Sequence, residues 1–257
     1  MRMYVVDAFT DRVFSGNQAA VVVLEEFLTP VLMTDIAVEN NFSETAFVVK
    51  EGEAYHLRWF TPAGEIDFCG HATLATAWTL LHFYEQDAHS VRFITQAGEL
   101  TVSRRGDYLE MDFPAYEVKP VPVTKEMEEA VGAKVLEAYL DRDLLLVLGS
   151  EEEVRNLSPD KDKLLALPGL LQCVTAPGKK VDAVSRMFAP KLAIFEDPVT
   201  GSTHCMVAPY WSERLGKKRL TFYQASKRGG SLEAEVKGER VAILGQAVLY
   251  SVGDILE

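Results

Sequence analysis

Residues 58–72 read Arg58-Trp-Phe-Thr-Pro-Ala-Gly-Glu-Ile-Asp-Phe-Cys-Gly-His-Ala72, and a weaker copy of this segment returns in the second half of the chain. Arg58-Trp-Phe-Thr-Pro62 matches Arg186-Met-Phe-Ala-Pro190, and Gly70-His-Ala72 matches Gly201-Ser-Thr203. The matches occur in the same order and at a nearly constant offset, which chance seldom produces. The sequence therefore predicts a duplicated chain.

The two halves share one predicted arrangement of helices and strands. Each half has a central apolar helix, one beginning after Gly70 and the other running from Thr203 to Leu215, with short segments typical of β-strands around it. The sequence predicts an α+β fold of two pseudo-symmetric halves, residues 1–115 and 116–257, each a curved and mostly antiparallel sheet wrapped around its helix. Two local predictions are a helix over residues 124–137 and an unbroken strand over residues 240–249.

Composition restricts the class of protein. The 257 residues include 48% hydrophobic and 25% charged residues, which is typical of a globular chain. A formal net charge of −12 repels phosphate backbones, so we expect no nucleic-acid partner. The sequence has neither a signal-peptide pattern nor an apolar run of membrane-spanning length, and we predict a cytoplasmic protein with no membrane partner. The three cysteines lack metal-type spacing, which predicts reduced thiols.

The starts of the two central helices are the first candidate sites. A helix N-terminus presents unpaired N–H groups, and a glycine there lets an anion approach the backbone closely. Gly70 with His71, and Gly201 with Ser202, therefore predict a clamp for a small carboxylate substrate. The alternative is that the glycines permit tight packing and that the polar residues are ordinary helix caps.

Two carboxylates are candidates for proton transfer. Glu44 lies in Asn41-Phe-Ser-Glu-Thr-Ala-Phe47, where it begins an apolar strand, and a carboxylate at the border of a core suits proton transfer near neutral pH. Asp197 precedes the second helix. Each residue also has a structural interpretation: Glu44 as a solvated strand-end glutamate or as a partner for the many local amides, and Asp197 as part of an Asp-Pro turn that caps the helix.

Cys69 stands directly before Gly70, where a thiol can act as a base or nucleophile, although an inert buried thiol explains it equally well. His204, inside the second helix, fits a buried structural histidine. The sequence has no P-loop, dinucleotide-binding fingerprint, zinc-type histidine pair or nucleophile elbow. We therefore expect a reaction that needs only protons, with no cofactor and no metal.

Taken together, these segments resemble the phenazine-biosynthesis-like family, the PhzF-type isomerases, whose fold is that of diaminopimelate epimerase. The resemblance covers nearly the whole chain. It is carried by the following segments: Asp7-Ala-Phe-Thr10, Phe14-Ser-Gly-Asn17, Asn41-Phe-Ser-Glu-Thr-Ala-Phe47, Arg58-Trp-Phe-Thr-Pro62, Phe68-Cys-Gly-His-Ala-Thr-Leu74, Phe195-Glu-Asp-Pro-Val-Thr-Gly-Ser202 and Arg228-Gly-Gly230.

The resemblance implies an active site in the cleft between the halves and a homodimeric enzyme with a place in a biosynthetic process. It implies that Glu44 is the acid/base, that His71 and Asp197 steer the proton or bind substrate, and that Gly70, Gly201 and Ser202 bind the substrate carboxylate. The predicted function is a cofactor-independent isomerase or epimerase that moves a proton on a small carboxylated metabolite. Two alternatives stay open: a catalytically silent interaction or regulatory protein on the same fold, and a thiol-dependent epimerase that uses Cys69.

Overall fold

The computed structural model describes residues 1–192 and 194–256. The chain forms two compact units, Met1–Asp112 with Leu244–Glu257, and Phe113–Ile243. The predicted halves were 1–115 and 116–257, whereas the first unit has its first boundary at Asp112. The C-terminal segment also belongs with the first unit, because its strand pairs antiparallel with the first strand of the chain.

The first unit contains one sheet and two helices, and the elements are numbered in chain order. They are β1 (Arg2–Ala8), β2 (Asn17–Leu24), α1 (Pro30–Asn40), β3 (Glu44–Glu51), β4 (Ala54–Thr61), β5 (Gly64–Ile66), α2 (Gly70–Phe83), β6 (Ser90–Thr95), β7 (Gly98–Arg105), most of β8 (Tyr108–Pro114) and β18 (Ala247–Asp254). Nearly every residue of α2 is buried, and the helix packs against β1, β2, β3, β6 and β18. The apolar helix therefore fills the concave side of the sheet.

The second unit repeats this organisation with two additional short helices. It contains β9 (Lys119–Val121), α3 (Lys125–Val131), β10 (Glu137–Leu140), β11 (Leu144–Val147), α4 (Glu151–Arg155), α5 (Lys161–Ala166), β12 (Gln172–Pro177), β13 (Ala183–Ala189), a 3-10 turn (Pro190–Leu192), β14 (Ile194–Asp197), α6 (His204–Leu215), β15 (Arg219–Gln224), β16 (Gly230–Lys237) and most of β17 (Arg240–Gly245). Here α6 packs against β15 and β16.

Strand pairing confirms the duplication. In the first unit β1 pairs antiparallel with β2, β2 parallel with β3, β3 antiparallel with β4, and β4 antiparallel with β5 and parallel with β6. In the second unit β10 to β15 show the same directions in the same order. The predicted α+β fold, with a curved sheet around a helix in each half, is therefore confirmed.

A matched ion pair appears at the same place in each unit. The Arg58 guanidinium donates to both carboxylate oxygens of Glu65, at 2.7 and 2.6 Å, and Arg186 donates to both of Glu196, at 2.7 and 3.0 Å. The separations along the chain are 7 and 10 residues, because the second unit inserts the 3-10 turn. The carboxylates that precede the two central helices are thus partly structural.

Two local predictions were wrong. The helix predicted over residues 124–137 ends at Val131, because Gly132 adopts a left-handed conformation (φ 72°) that terminates it, and Glu137 begins β10. The strand predicted over residues 240–249 breaks at Gln246, whose carbonyl accepts the Thr10 N–H at 3.2 Å. The predicted end of the second central helix at Leu215 is confirmed, and Gly216 in the left-handed region (φ 63°) caps it.

Candidate active site

Glu44 is the first residue of β3 and is buried with 8% of its surface exposed. It lies opposite Ala19 in the parallel β2–β3 pair, and the next residues of its strand, Thr45 to Val48, are buried. A buried carboxylate is costly unless other groups compensate it, so its neighbours decide what it can do. The solvated strand-end alternative is excluded by this burial.

His71 is the closest titratable neighbour of Glu44. It is the second residue of α2, is buried, and places Nε2 at 3.0 Å from Oε2 of Glu44. Although the two atoms are close, neither has a hydrogen-bond partner of proper angle among the described residues. The pair is therefore electrostatic in this geometry, and one oxygen of the carboxylate is left for a further partner.

Asn17, at the start of β2, is a site residue that the sequence reasoning did not assign. Its Nδ2 lies 3.1 Å from Nδ1 of His71. As the amide is oriented it donates to Nδ1, which leaves the ring proton on Nε2, facing Glu44. The signal in the sequence was the Phe14-Ser-Gly-Asn17 segment, which carried the resemblance but no assigned role. Asn17 therefore selects the tautomer of His71.

Gly16 brings the chain into this position. It adopts φ 71°, and a Cβ at this residue would come 2.2 Å from the carbonyl oxygen of Ala8. Phe9 and Phe14 also have positive φ values, of 61° and 68°, although they are not glycines. Strained backbone of this kind tends to occur where a functional side chain must be aimed. The backbone conformation of residues 9–16 therefore places Asn17 beside His71.

Cys69 completes the first cluster. It is the N-cap of α2, is buried, and places Sγ at 3.5 Å from Nδ1 of His71. Burial raises the pKa of this thiol, and the Glu44 carboxylate raises it further. The thiol is therefore protonated at neutral pH, which does not favour its use as a nucleophile.

The pKa of His71 reflects opposing effects. Burial lowers it, but Cys69 and Glu44 together raise it well above its ordinary value. Since Cys69 is protonated at neutral pH, the Glu44 carboxylate is the charge that acts there. A second proton on Nδ1 requires the Asn17 amide to turn its oxygen toward the ring. The imidazole can thus store a proton beside the carboxylate.

Glu44, Cys69 and His71 each place one potential ligand atom within 4.8 Å of the others. Cys69 and Glu44, however, approach different nitrogens of the His71 ring. Ligands of one cation must converge on a point, whereas a chain of contacts through both ring nitrogens is typical of proton transfer. The arrangement favours a proton relay over a metal site.

In the second unit, Asp197 ends β14 and is part of a loop that leads into α6. Its carboxylate accepts the hydroxyl of Thr200. The buried Gln224, which the sequence reasoning missed, holds the same loop: its Oε1 accepts the Thr200 N–H at 2.9 Å, and its Nε2 donates to the Asp197 carbonyl at 2.8 Å. The loop that contains Gly201 and Ser202 is therefore rigidly supported.

Ser202 has a cationic neighbour that the sequence reasoning also missed. Arg142 Nη2 lies 3.3 Å from its hydroxyl oxygen. His204, by contrast, is fully buried in α6, its Nδ1 is 2.8 Å from the Thr200 carbonyl, and burial lowers its pKa to about 4. As the sequence predicts, His204 is a neutral core residue and Nδ1 donates to that carbonyl.

The predicted site residues thus fall into two groups. Glu44, Cys69, Gly70 and His71 are brought together in the first unit. Asp197, Gly201 and Ser202 lie in one loop of the second unit. Among the described residues, no helix combines the length and apolar character needed to cross a membrane.

A family model described as phenazine biosynthesis-like protein matches residues 6–253 of the chain. The chain belongs to this family. An uncharacterized isomerase of Pseudomonas aeruginosa is 47% identical over 99% of this chain and 98% of its own length. The crystal structure of a phenazine biosynthesis protein of the PhzF family from Enterococcus faecalis is 50% identical, with a TM-score of 0.98 over 100% of this chain and 99% of that chain.

More distant members of the fold share its architecture only. A hydroxyproline epimerase from Agrobacterium vitis is 9% identical and superposes with a TM-score of 0.62 over 99% of this chain and 90% of that chain. This likeness shows the fold alone. The epimerase-type fold that the family resemblance implies for this phenazine biosynthesis-like protein is thereby confirmed.

Proposed function

We propose that this protein is an isomerase that moves a proton between positions on a small carboxylate-bearing metabolite, without a cofactor, and that Glu44 is the acid/base. The carrying observation is the buried Glu44 carboxylate at 3.0 Å from His71 Nε2, with one oxygen lacking a hydrogen-bond partner among the described residues. Membership of a family with relatives named isomerases supports the reaction class.

The reaction balances with protons alone. The Glu44 carboxylate takes a proton from a substrate carbon, and the electron pair of the broken C–H bond moves into the adjacent unsaturated system. The carboxylic acid then returns a proton to a different carbon, or to the opposite face of the same carbon. Nothing is oxidised or reduced, and no group leaves, so the carboxylate ends in its starting state.

His71 and Asn17 support the carboxylate in this scheme. The Nε2–H of His71 faces the Glu44 carboxylate, with Nε2 at 3.0 Å from Oε2. The raised pKa of His71 also lets the imidazole hold a second proton while Glu44 is ionised. Asn17 keeps the ring oriented through Nδ1. Positioned groups of this kind are what general acid/base catalysis requires.

We also propose that Asp197, Gly201 and Ser202 act in the same reaction, as the family resemblance implies. Gly70 and Gly201 precede or begin a helix, where backbone N–H groups lack intrahelical acceptors and attract a carboxylate. Ser202 adds a hydroxyl group. We assign Gly70, Gly201 and Ser202 to binding the acid group of the substrate. Asp197 is assigned to steering the proton.

A thiol-dependent epimerase is the second candidate, because Cys69 Sγ contacts His71 Nδ1 at 3.5 Å. Two observations weigh against it. Burial raises the pKa of Cys69. In addition, the residue before Gly201, which corresponds to Cys69 before Gly70, is Thr200, so the second unit offers no thiol there. A mechanism with two opposed cysteines is disfavoured.

The test is carbon-bound hydrogen exchange in heavy water. Purified protein is incubated with a pool of aromatic and dihydroaromatic carboxylic acids, and deuterium uptake is measured by mass spectrometry. We expect exchange by the wild type and by Cys69→Ser, and its loss in Glu44→Gln. Glu51→Gln is the matched control, because Glu51 is on the same strand and pairs with His56 at 2.7 Å on the surface. Loss in Cys69→Ser with retention in Glu44→Gln would establish the thiol mechanism instead.

We further propose a cytoplasmic homodimer, the state that the resemblance implies. Sedimentation velocity at micromolar concentrations would reveal twice the mass of the 28.6 kDa chain. A catalytically silent interaction protein is the remaining alternative. It predicts that Glu44→Gln and the wild type are equally inactive in the exchange experiment, across every acid in the pool.

A further inference from the structure

The duplicated fold gives the first site a counterpart in the second unit. In the parallel pair β2–β3, Ala19 lies opposite Glu44, and in the equivalent parallel pair β11–β12, Leu144 lies opposite Gln172. Gln172 therefore occupies the position of Glu44. It is fully buried, and its Oε1 has no hydrogen-bond partner among the described residues.

The same register pairs the neighbours of these residues. Asn17 lies two residues before Ala19 in the first unit, and Arg142 lies two residues before Leu144 in the second. His71 and Ser202 correspond because each follows the glycine of the matching segments Gly70-His-Ala72 and Gly201-Ser-Thr203. The contact is repeated as well: Asn17 lies 3.1 Å from His71, and Arg142 lies 3.3 Å from Ser202.

The two clusters differ in what their groups can do. The first has a carboxylate and an imidazole, Glu44 and His71, which exchange protons. The second has an amide, a hydroxyl and a guanidinium at the matching places, Gln172, Ser202 and Arg142, and none of these titrates near neutral pH. A guanidinium beside a hydroxyl is instead suited to hold an anion.

The guanidinium of Arg142 is held in place by contacts to Nε, Nη2 and its planar face, and these contacts do not use Nη1. Its Nε and Nη2 donate to the two oxygens of the buried Asp143, at 3.0 and 2.5 Å, and its Cζ lies 4.9 Å from the ring centre of Tyr116. Its Nη1 has no acceptor among the described residues, and a third of the side chain is exposed. The Nη1 edge is thus open to a ligand.

The support for Tyr116 comes from a proline in α6. Pro209 has no N–H to donate to the carbonyl of Cys205 in the preceding turn, and the Tyr116 N–H donates to that carbonyl at 3.0 Å instead. The ring that lies against Arg142 is therefore anchored by its own backbone. The guanidinium is pre-organised before any ligand arrives, which lowers the entropy cost of binding.

We propose that Arg142 binds the acid group of the substrate through its Nη1 edge, beside the Ser202 hydroxyl, and makes a carboxylate a requirement for substrates. This inference rests on the proposed function for the reaction that follows binding. The binding itself is separable from catalysis, because no proton-transfer residue takes part in it.

The experiment measures binding of benzoate, with benzamide as the uncharged analogue, by isothermal titration calorimetry. The main variant is Arg142→Met with Asp143→Asn, which removes the charged pair together. The asparagine retains an oxygen for the Leu171 N–H that Asp143 now accepts at 3.3 Å. The matched control is Arg219→Met with Glu233→Gln, an exposed arginine–glutamate pair of the same unit at 2.6 Å.

We expect benzoate to bind the wild type and the control pair variant equally, and the Arg142 pair variant at least about tenfold more weakly, as loss of a charge-assisted hydrogen bond implies. Arg142→Lys keeps the charge without the planar fork and should fall between them. Equal benzoate affinity in wild type and the Arg142 pair variant, absence of saturable benzoate binding, or equally tight benzamide binding would overturn the proposal.

Glu44→Gln separates this inference from the proposed function. It should bind benzoate as the wild type does, because Glu44 is not part of the anion-binding group. If no acid exchanges hydrogen in the heavy-water experiment while benzoate still depends on Arg142, the isomerase proposal fails and the binding site stands. If the wild type exchanges hydrogen but benzoate binding does not depend on Arg142, the proposed role of Arg142 fails and the Glu44 mechanism stands.

Discussion

Glu44 Oε2 and His71 Nε2 lie 3.0 Å apart at the start of β3 and α2, and both side chains are buried. An isolated buried carboxylate is costly, so the imidazole compensates for the burial of Glu44. The contact lacks hydrogen-bond geometry, which leaves the carboxylate oxygen able to engage another hydrogen. This combination of compensation and availability is what a general base needs.

The first prediction concerns the titration of His71. Glu44→Gln removes the charge that favours the imidazolium form, so the pKa of His71 should fall toward its ordinary range. In the wild type the raised pKa of His71 stabilises the folded protein at pH values below the pKa that His71 has in the unfolded chain. This contribution is lost as the pH rises through the pKa of His71 in the folded protein. Nitrogen-15 NMR of labelled histidines measures the shift. An unchanged His71 titration in Glu44→Gln, with Glu51→Gln as control, would contradict the pairing.

The second prediction compares two glycines of similar conformation. Gly16→Ala places a Cβ 2.2 Å from the Ala8 carbonyl oxygen, whereas Gly52, at φ 61°, has nothing within 4 Å of that position. We expect Gly52→Ala to lower the free energy of unfolding by about 1 kcal/mol, the cost of the left-handed conformation alone. Gly16→Ala should cost at least about 3 kcal/mol and also displace Asn17. Urea unfolding is the measurement, and equal losses would refute the steric explanation.

The third prediction uses the buried histidine of α6. Because burial lowers the pKa of His204 to about 4, the unfolded chain binds a proton between its ordinary value and pH 4 while the folded chain does not. The contribution of His204 to stability is therefore fully present above the pKa that this histidine has in the unfolded chain, and it is lost as the pH falls toward 4. Relative to His204→Gln, the wild type should lose up to about 3 kcal/mol of unfolding free energy between pH 7 and 4. Parallel pH profiles of the two proteins would disprove this.

The fourth prediction concerns the support of the Asp197 loop. Gln224→Ala leaves the buried Thr200 N–H and the Asp197 carbonyl without their partner and opens a cavity. We expect a loss of about 2 to 4 kcal/mol in unfolding free energy. Gln96→Ala is the control, because that exposed amide donates to Glu65 at 2.8 Å on the surface, and its loss should change stability by less than about 0.5 kcal/mol. Similar losses in both variants would show that the loop does not depend on Gln224.

Much of the fold follows from local patterns in the chain. The repeated Arg–x–Phe and glycine segments indicated the duplication, and the structure shows it in the Arg58–Glu65 and Arg186–Glu196 pairs. Helix ends were harder to predict. Gly132 ended α3 early because a glycine in the left-handed region stops a helix, while the glutamate-rich composition around it favours helix over a longer stretch.

The candidate site divides in the same way. Glu44, His71 and Ser202 could be nominated from motifs that carry their chemistry within a few residues of sequence. Asn17 and Arg142 could not, because they lie 54 and 60 residues from the side chains that they contact. Tertiary packing, such as that of α2 against β2, brings such residues together, and neither residue type signals a role by itself.

The sequence by itself determined the fold class, the duplication and the identity of the titratable groups, because periodicity, glycine positions and side-chain chemistry are local properties. The tertiary structure decided which of those groups act on one another. Burial and distance set the pKa of His71 and Cys69, the Asn17 amide set the tautomer of His71, and tertiary packing placed Arg142 beside Ser202. These depend on long-range packing, which no short segment of the chain encodes alone.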